Sequence, residues 1–340
     1  MARIFVGLSG GVDSAVSAAI LKESGHDVIG CFIRIWRPEF LECTWREDRL
    51  DAIRVAAHLR IPFREVDLSH EYERDVVRPM IDGYARGLTP NPDTACNRHV
   101  KFDAFLAWAT REGADRIATG HYAHIGHDPL VLRRATDESK DQSYFLAQVP
   151  ASALEKADFP LGGMLKSDVR AKAAALGLPV ATRRDSQGLC FVGDVSIPEF
   201  LSRYIRAEDG DILSEDGTII GRHEGAMLYT RGQRHGLSTA SSRPYYVIET
   251  DTQANTVTVS HDTHRASTRT LRLTGINRIA DLGDAGLSCV VRHHGRPIDC
   301  RISDEGDAIL VELHEPAIVA RGQTCVLYRE DRVVASGVVC

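Results

Sequence analysis

Residues 6–17 read V-G-L-S-G-G-V-D-S-A-V-S. The apolar run Arg3-Ile4-Phe5-Val6 leads into them and apolar residues at helical spacing follow, which predicts a tight turn at 9–14 between a buried strand and a helix. Backbone N–H groups and the positive end of the helix dipole meet at such a turn, and Gly10 and Gly11 let a phosphate approach closely. The Asp13 carboxylate would repel a phosphate unless a metal ion or a backbone N–H met it.

Two common nucleotide-binding loops are excluded here, because neither G-x-x-x-x-G-K-[ST] nor G-x-G-x-x-G is present. S-G-G-x-D-S after a first strand instead resembles the PP-loop of the ATP pyrophosphatase families. That resemblance implies that ATP is cut between its α- and β-phosphates and that an acceptor oxygen is adenylated. The alternative is a glycine-rich turn that binds no ligand.

Composition narrows the class of protein. A chain of 340 residues suggests two or three domains, and no apolar run is long enough to span a membrane, so we expect no membrane partner. The first strand leaves no room for a signal peptide, which favours a cytoplasmic protein.

The eight cysteines form no C-x-x-C pair, so we expect no structural metal site. A net charge of −6 does not favour nucleic-acid binding as such, but phosphate contacts depend on local patches.

Strand and helix patterns alternate over the first 120 residues, which predicts an α/β fold with a Rossmann-like parallel sheet and ligands at the carboxyl ends of its strands. The predicted strands are Arg3–Leu8, Val28–Ile35, Phe63–Leu68 and Arg116–Thr119. The predicted helices are Asp13–Glu23, Asp48–Leu59, Tyr72–Tyr84 and Phe102–Arg111, followed later by Lys166–Leu176 and Ile197–Ile205.

The pattern changes near Ala207 to short alternating runs separated by turns, typical of small β domains or barrels. A boundary near Ser267 follows a predicted hairpin. We therefore predict a catalytic domain at 1–206, a β-rich domain at 207–267 and a β-barrel-like domain at 268–340.

Residues 89–97, T-P-N-P-D-T-A-C-N, contain a candidate reactive thiol. The prolines and Asx residues predict irregular structure up to about Thr94 and a helix that begins near Cys96. A thiol at a helix N-terminus beside Arg98, His99 and Lys101 would have a lowered pKa, and Asp93 would be a general acid or base. The alternative is an ordinary loop cysteine.

Other polar positions stand at the ends of predicted elements. Gly120 would allow a ligand to approach a strand end, and Ile33 either lies against an adenine ring or belongs to the core. Lys140 could meet phosphate and Asp141 and Gln142 could bind polar edges, unless they are a solvated helix start. Glycines on both sides of Cys190 indicate an accessible loop, with a structural thiol as the alternative.

Basic clusters at Arg231, Arg234 and His235 and at Arg292-His293-His294-Gly295-Arg296 suggest phosphate contacts despite the acidic total charge. Each cluster alone is more often a solvated face. Two such clusters on a chain that activates an acceptor with ATP favour a nucleic-acid substrate.

Seven motifs occur together and in order: S-G-G-V-D-S, N-P-D-T-A-C-N, A-T-G-H-Y-A, K-D-Q-S-Y-F-L, S-Q-G-L-C-F-V-G, Y-T-R-G-Q-R-H-G-L and P-Y-Y-V-I. Together they resemble the tRNA-specific 2-thiouridylase family, which replaces the 2-oxygen of the wobble uridine with sulfur. The resemblance covers about Arg3 to Ile248 with specific motifs and the C-terminal part more loosely.

The resemblance implies a role for each matched position. ATP, with Mg²⁺, would be bound by Gly7, Leu8, Ser9, Gly10, Gly11, Val12, Asp13, Ser14, Ile33 and Gly120. The target base in the anticodon loop would be contacted by Asn91, Pro92 and Asp93, and tRNA more widely by Lys140, Asp141, Gln142, Arg292 and His293. Cys96 would be the nucleophile, and Cys190 would carry a persulfide delivered by a persulfide carrier or a cysteine desulfurase.

Two positions depart from the family pattern. Arg292-His293 stands where the family usually has Arg-Tyr, and His235 stands where it usually has lysine. The first departure weakens the expected tRNA contact, because an imidazole replaces a larger stacking ring.

The chemistry is consistent with that resemblance, because adenylation of a uridine oxygen followed by persulfide attack needs two thiols on separate loops. A Cys96–Cys190 disulfide would be left, and we expect the two thiols to be too far apart to bond in the free protein. Two other classes remain open. One is a PP-loop adenylating ligase or amidotransferase, and the other is a non-catalytic RNA-binding module.

Overall fold

The computed structural model describes residues 1–38, 40, 45–184, 195–239, 243–283 and 286–340. Three sheets make up the molecule. The predicted persulfide carrier, Cys190, lies outside the described residues.

The first sheet contains five parallel strands in the order β3-β2-β1-β4-β7. These strands are β1 Arg3–Gly7, β2 Asp27–Arg34, β3 Phe63–Asp67, β4 Arg116–Ala118 and β7 Ala157–Asp158. The predicted Rossmann-like parallel sheet is confirmed, and the four predicted strands agree with the observed ones to within about two residues. The short β7 was not predicted, because two residues carry too little periodicity to be recognised.

Helices cover both faces of this sheet. They are α1 Val12–Glu23, α2 Trp45–Leu59, α3 Ser69–Tyr72, α4 Arg78–Ala85, α5 Pro92–Ala95, α6 Leu106–Arg111, α7 Ser143–Leu146, α8 Ala151–Leu154, α9 Lys166–Ala175 and α10 Ile197–Leu201. A π-helical segment, Glu73–Val77, joins α3 to α4, and a second, Cys96–Phe105, joins α5 to α6.

Side chains of β1 alternate between two apolar layers, as expected for a strand covered on both faces. Ile4 and Val6 pack in one layer with residues of α1, α2 and α9, whereas Phe5 packs in the other with residues of the helical stretches 69–85 and 92–111. Each fully buried aliphatic side chain of this kind contributes about 1.5–3 kcal/mol to folding. The strand is therefore held firmly, and so is the loop that follows it.

The second sheet has five strands in the order β10-β9-β8-β12-β11. They are β8 Gly210–Leu213, β9 Ile219–His223, β10 Ser238–Thr239, β11 Tyr246–Asp251 and β12 Thr256–Ser260. Its small core contains Ile212, Val247, Val257 and Val259.

The third sheet contains a closed ring of six strands, since β13 pairs with both β16 and β18. The ring strands are β13 Ser267–Arg278, β14 Leu287–Val290, β15 Ile298–Asp304, β16 Ile309–Ile318, β17 Thr324–Arg329 and β18 Arg332–Val339. All pairings within the ring are antiparallel. The predicted C-terminal barrel is confirmed.

A hairpin from the first half of the chain extends this third sheet. Its strands are β5 His124–His127 and β6 Leu130–Arg133, and β6 pairs with β18 through Leu132 and Val333. The buried segment after α7 is also tied to the barrel, because Asn277 Nδ2 donates to the carbonyls of Ala147 and Val149, each at 2.8 Å. The barrel is thus bonded to the same part of the chain that carries the predicted tRNA contacts. The division into 1–206, 207–267 and 268–340 stays a prediction.

The helix around Cys96 begins earlier than predicted. It starts at Pro92, and the Asn91 side-chain oxygen accepts hydrogen bonds from the N–H groups of Asp93 and Thr94, each at 3.1 Å. Proline is favourable at the first helical position, because it has no N–H to leave unpaired and its φ suits the helix. The prediction of irregular structure up to Thr94 was therefore wrong, since N-P-D is a helix start and not a helix breaker.

Among the described residues, no helix has the length and apolar character needed to cross a membrane.

Candidate active site

The loop at 9–14 connects β1 to α1 as predicted, and hydroxyl groups brace it from within. Ser14 Oγ accepts from the Ser9 N–H at 3.1 Å, and Ser9 Oγ accepts from the Gly11 N–H at 3.3 Å. Gly11 is the N-cap of α1 and no side chain caps that end. The first-turn N–H groups of α1 therefore lack side-chain partners and can receive an anion.

At two positions of the site, backbone atoms from another segment lie so close that only glycine fits. Gly10 has φ +79°, and a Cβ there would lie 2.5 Å from the Asp48 carbonyl oxygen. A Cβ on Gly120 would lie 2.8 Å from the Ser14 N atom. Gly120 thus brings the chain just after β4 against the loop, and its role in binding a nucleotide stays a prediction.

Asp13 is neutralised by a lysine, where the sequence had suggested a metal ion or a backbone N–H. Lys166 Nζ lies 2.6 Å from Asp13 Oδ1 and 2.8 Å from Oδ2, and the Tyr122 hydroxyl donates to Oδ1 at 2.8 Å. The Lys166 side chain is 13% exposed. The carboxylate that would repel a phosphate is therefore paired with a cation that would attract one.

Arg183 holds the same loop from the other side. Its Nη1 donates to the Gly10 carbonyl at 3.1 Å and to Asp51 at 2.6 Å, and its Nη2 pairs with Asp48. These bonds tie the loop to α2, so that its shape is set before any ligand arrives.

The other predicted nucleotide contacts fall into two groups. Leu8 and Val12 are 2% and 3% exposed, so their side chains belong to the core and their backbone alone could face a ligand. The Leu8 N–H is already bonded to the Cys31 carbonyl at 2.7 Å. Ile33 is half-buried and lies beside Gly7, since a Cβ on Gly7 would be 3.7 Å from Ile33 Cδ1.

Taken together, an uncapped helix end, a close-fitting glycine and a half-buried lysine suit the phosphates of ATP. In the described part of the chain, no three His, Cys, Asp or Glu side chains are grouped so as to hold a metal ion by themselves.

Asp93 lies in the first turn of α5, in an environment that disfavours its charge. Burial raises the pKa of its carboxyl group, and the cation of Lys101 partly opposes that rise. A carboxyl group with a raised pKa is suited to exchange protons with a substrate near neutral pH.

Cys96 is 3% exposed and sits one turn inside the helix, four residues after Pro92. The prediction that Cys96 stands at the N-terminus of the helix was therefore wrong. The predicted separation of Cys96 from Cys190 stays a prediction, because Cys190 lies outside the described residues.

The two predicted tRNA segments, distant in sequence, meet in the structure. His293 Nε2 is 3.2 Å from the Asp141 carbonyl oxygen, and its ring lies 4.2 Å from that of Phe145. Arg292 next to it is exposed. Burial lowers the pKa of His293, so the ring is neutral at pH 7 and can donate only through one nitrogen.

Asp141 and Gln142 use side-chain oxygens as acceptors for hydrogen bonds inside the protein. Asp141 Oδ1 accepts from the N–H groups of Ala135 and Ser143, at 3.0 and 3.1 Å. Gln142 Oε1 accepts from the Tyr122 N–H at 3.0 Å. Their direct contact with tRNA stays a prediction.

Three family models match successive parts of the chain. The family model described as "tRNA methyl transferase HUP domain" matches residues 2–194, "tRNA methyl transferase PRC-barrel domain" matches 198–261, and "Aminomethyltransferase beta-barrel domain" matches 268–339.

Two curated relatives are similar over almost the whole chain. The tRNA-specific 2-thiouridylase MnmA of Listeria welshimeri is 40% identical over 349 residues, covering 99% of this chain and 94% of the relative. The enzyme of the same name from Bacillus subtilis is 39% identical with the same coverage. The chain belongs to the tRNA-specific 2-thiouridylase family. Among solved structures, the U34-tRNA thiolase NcsA from Methanococcus maripaludis is 18% identical, and the match covers 55% of this chain and 61% of the NcsA chain. Its TM-score of 0.37 is too low to support any conclusion.

Membership of the 2-thiouridylase family, with its PP-loop, implies the use of ATP. Sequence reasoning missed three side chains that shape the PP-loop site: Tyr122, Lys166 and Arg183. Lys166 looked like the first residue of an ordinary amphipathic helix. The positive end of a helix dipole disfavours cations. A lysine at the first position of a helix was therefore the signal that could have marked Lys166 as a candidate site residue.

Proposed function

We propose that this chain catalyses ATP-dependent 2-thiolation of the wobble uridine of tRNA, with release of AMP and pyrophosphate. The observation that carries the proposal is about 40% identity across 99% of the chain to relatives named for this activity. The architecture supports it, because the PP-loop, Gly120 and Lys166 form one anion site in the parallel-sheet domain.

In the first step the uridine O2 attacks the α-phosphorus and pyrophosphate leaves. The N–H groups of the loop at 9–14 and the Lys166 ammonium stabilise the charge that builds on the phosphates. Gly7, Ile33 and Gly120 border the nucleotide. Mg²⁺ bound with ATP would supply further charge neutralisation at the phosphate oxygens. The N3 proton of the base passes to the Asp93 carboxylate.

In the second step sulfur replaces the adenylated oxygen. The terminal sulfur of a persulfide on Cys190 attacks C2, and AMP leaves with the oxygen. The Cys96 thiolate then attacks the Cys190 sulfur, so that a Cys96–Cys190 disulfide forms and the thiocarbonyl is released. N3 recovers its proton from Asp93. A reductant and a new persulfide, delivered by a sulfur-donor protein, restore the enzyme.

The tRNA is bound by two groups of residues in this proposal. Asn91, Pro92 and Asp93 contact the target base, and Lys140, Asp141, Gln142, Arg292 and His293 contact the rest of the tRNA. An unstacked anticodon base costs only a few kcal/mol to extrude. The enzyme acts in the cytoplasm, and domains at 1–206, 207–267 and 268–340 share the work of catalysis and tRNA binding.

The test is incubation of the full chain with ATP, Mg²⁺, a persulfide donor, a thiol reductant and unmodified tRNA, followed by mass spectrometry of the nucleosides and measurement of AMP. We expect one oxygen-to-sulfur exchange on uridine, lost in Cys96→Ala and Cys190→Ser and kept in Cys31→Ser, a buried thiol of the sheet. AMP without thiolated uridine would indicate a ligase or amidotransferase with another acceptor. tRNA binding without any ATP cleavage would indicate a non-catalytic RNA-binding module.

A further inference from the structure

The motif Y-T-R-G-Q-R-H-G-L, which the proposed function does not use, begins with a loop at 229–236 that is closed by its own side chains. The Tyr229 hydroxyl donates to the Gly236 carbonyl at 2.8 Å, which joins the two ends of the loop. Within it, Gln233 Oε1 accepts from the Thr230 N–H at 3.0 Å, and Gln233 Nε2 donates at 2.9 Å to the carbonyl two residues further on. The tyrosine and the glutamine therefore set the shape of the 229–236 loop.

The same loop is fixed to the strands around it. The Gly232 N–H donates to the Val247 carbonyl on β11 at 2.8 Å, and Arg231 Nε donates to the Ala266 carbonyl at 2.8 Å. Gly232 has φ +86°, and a Cβ there would lie 2.4 Å from Ile318 Cγ2 at the end of β16. Because the loop is ordered before any ligand arrives, a ligand that binds to it has little ordering entropy to offset.

Two cationic or donor side chains of the loop, Arg234 and His235, are exposed, whereas residues 229–233 are half-buried. Arg234 has no carboxylate partner among the described residues. A second exposed arginine of this sheet is neutralised, since Arg222 Nη1 lies 2.6 Å from Asp211 Oδ1. An unpaired guanidinium with an imidazole donor beside it suits a phosphate group, which offers a negative charge and several acceptor oxygens.

The position of the loop relates it to the target base. Thr230 Oγ1 lies 3.3 Å from Thr89 Oγ1, and the Thr89 N–H donates to the Arg321 carbonyl at 2.7 Å. Asn91, the helix cap assigned to the target base, follows Thr89 by two residues. Two residues of chain span at most about 7 Å and four residues about 14 Å, so Arg234 is within the length of one RNA hairpin from Asn91.

We propose that the 229–236 loop binds a backbone phosphate of the tRNA anticodon arm. Arg234 makes the ionic contact, and His235 donates a second hydrogen bond. Tyr229 and Gln233 are positioning residues, which hold the loop in shape without touching RNA. The inference rests on the proposed function, because that function brings the wobble uridine, and with it the anticodon arm, to the helix beside this loop. A phosphate contact of this kind is independent of base sequence.

The test measures the affinity of the full chain for unmodified tRNA and for an RNA hairpin with the sequence of the anticodon arm alone, at a series of salt concentrations. Arg234→Ala should weaken the binding of both RNAs about fivefold and lower the slope of log affinity against log salt by about 1. Arg234→Lys keeps the charge and should restore the slope. The affinity for ATP should not change in either variant.

Two further variants separate positioning and local contact from general charge. Tyr229→Phe removes the hydroxyl that closes the loop and leaves Arg234 in place, so we expect the RNA affinity to fall about threefold with the salt slope of the wild type. Arg222→Ala is the matched control, because it removes an exposed arginine of the same sheet whose charge Asp211 already neutralises. It should change neither the affinity nor the slope.

The inference is overturned if Arg234→Ala binds both RNAs as the wild type does, or if Arg222→Ala loses as much affinity as Arg234→Ala. Weaker binding of whole tRNA with unchanged binding of the hairpin would also overturn it, because the contact would then lie outside the anticodon arm. A reduced salt slope in Tyr229→Phe would contradict the positioning role. Failure of the proposed function gives a different result, since the wild type would thiolate no uridine while the RNA affinities would still report on the loop.

Discussion

Lys166 and Asp13 form a bidentate ion pair at the mouth of the PP-loop, with the ammonium nitrogen 2.6 and 2.8 Å from the two carboxylate oxygens. Asp13 is in the first turn of α1 and Lys166 is in the first turn of α9, so two helix N-termini are joined by one salt bridge. The pair therefore places a cation beside the N-terminus of α1, at the loop that we propose binds the phosphates.

Lys166→Met should therefore impair catalysis more than it impairs folding. We expect AMP formation to fall about 10²-fold, since one preorganised cation is lost from the charge that develops on the phosphates. Lys172→Met is the matched control, because Lys172 lies on the same helix and pairs with Glu23 at 2.6 Å, away from the loop. Equal rates for the two variants would show that Lys166 has no role at the phosphates.

Gly120→Ala should abolish ATP binding while the protein stays folded. The new Cβ would lie 2.8 Å from the Ser14 N atom, so either β4 or the loop must move away. Gly126→Ala is the control, because its Cβ would meet nothing nearer than 3.7 Å. Isothermal titration with ATP measures the effect, and unchanged affinity in Gly120→Ala would mean that ATP does not use this edge of the loop.

Thr94→Val should raise the stability of the protein. Thr94 is 4% exposed and its hydroxyl has no hydrogen-bond partner among the described residues. A valine of the same shape removes that cost, so we expect a gain of about 1 kcal/mol in the free energy of unfolding. Thr110→Val, whose hydroxyl bonds the Leu106 carbonyl on an exposed helix face, should bring no gain in urea unfolding. A loss of stability in Thr94→Val would reveal a partner for the hydroxyl.

Asp93→Asn should stabilise the protein at neutral pH. Burial raises the pKa of Asp93 in the folded state above that of the unfolded chain, although Lys101 opposes the rise. The folded state then binds more protons between the two pKa values, so stability falls as pH rises through the folded pKa. The advantage of asparagine should disappear below the unfolded value of 3.8.

Asp304→Asn should instead lower the free energy of unfolding at neutral pH. The hydrogen bond from Arg278 lowers the pKa of Asp304, so the carboxylate is the favoured form in the folded protein. Its contribution is present above the unfolded pKa and is lost as pH falls through the folded one. Urea unfolding at several pH values measures both variants. If both variants changed the free energy of unfolding in the same direction, the environment described for Asp93 would be contradicted.

Arg292→Ala should weaken tRNA binding several-fold and lower the slope of log affinity against log salt by about 1, as expected for one lost phosphate contact. ATP binding should not change. Arg272→Ala is the control, since Arg272 is an exposed arginine on β13, outside that basic cluster, and pairs with Glu305. An unchanged salt slope in Arg292→Ala would remove Arg292 from the tRNA surface.

The sequence alone determined the parallel sheet, the turn at 9–14, the C-terminal barrel and the order of the motifs, because strand–turn–helix signals and binary patterns are local. Prediction from the sequence was less reliable where two local signals favour different structures. Residues 91–93 looked like a helix breaker, although an Asn cap followed by proline is a good helix start, so Cys96 was placed at a helix end when it is buried a turn inside.

Only the tertiary structure decided which distant side chains meet. Lys166 is 153 residues from Asp13, His293 is 152 from Asp141, and β6 joins β18 across the fold. No periodicity encodes such pairings, since they depend on how packed layers bring helix ends and loops to a shared edge. The physical reason is that charge and hydrogen bonding act over a few ångströms in space, whereas sequence patterns report only neighbours along the chain.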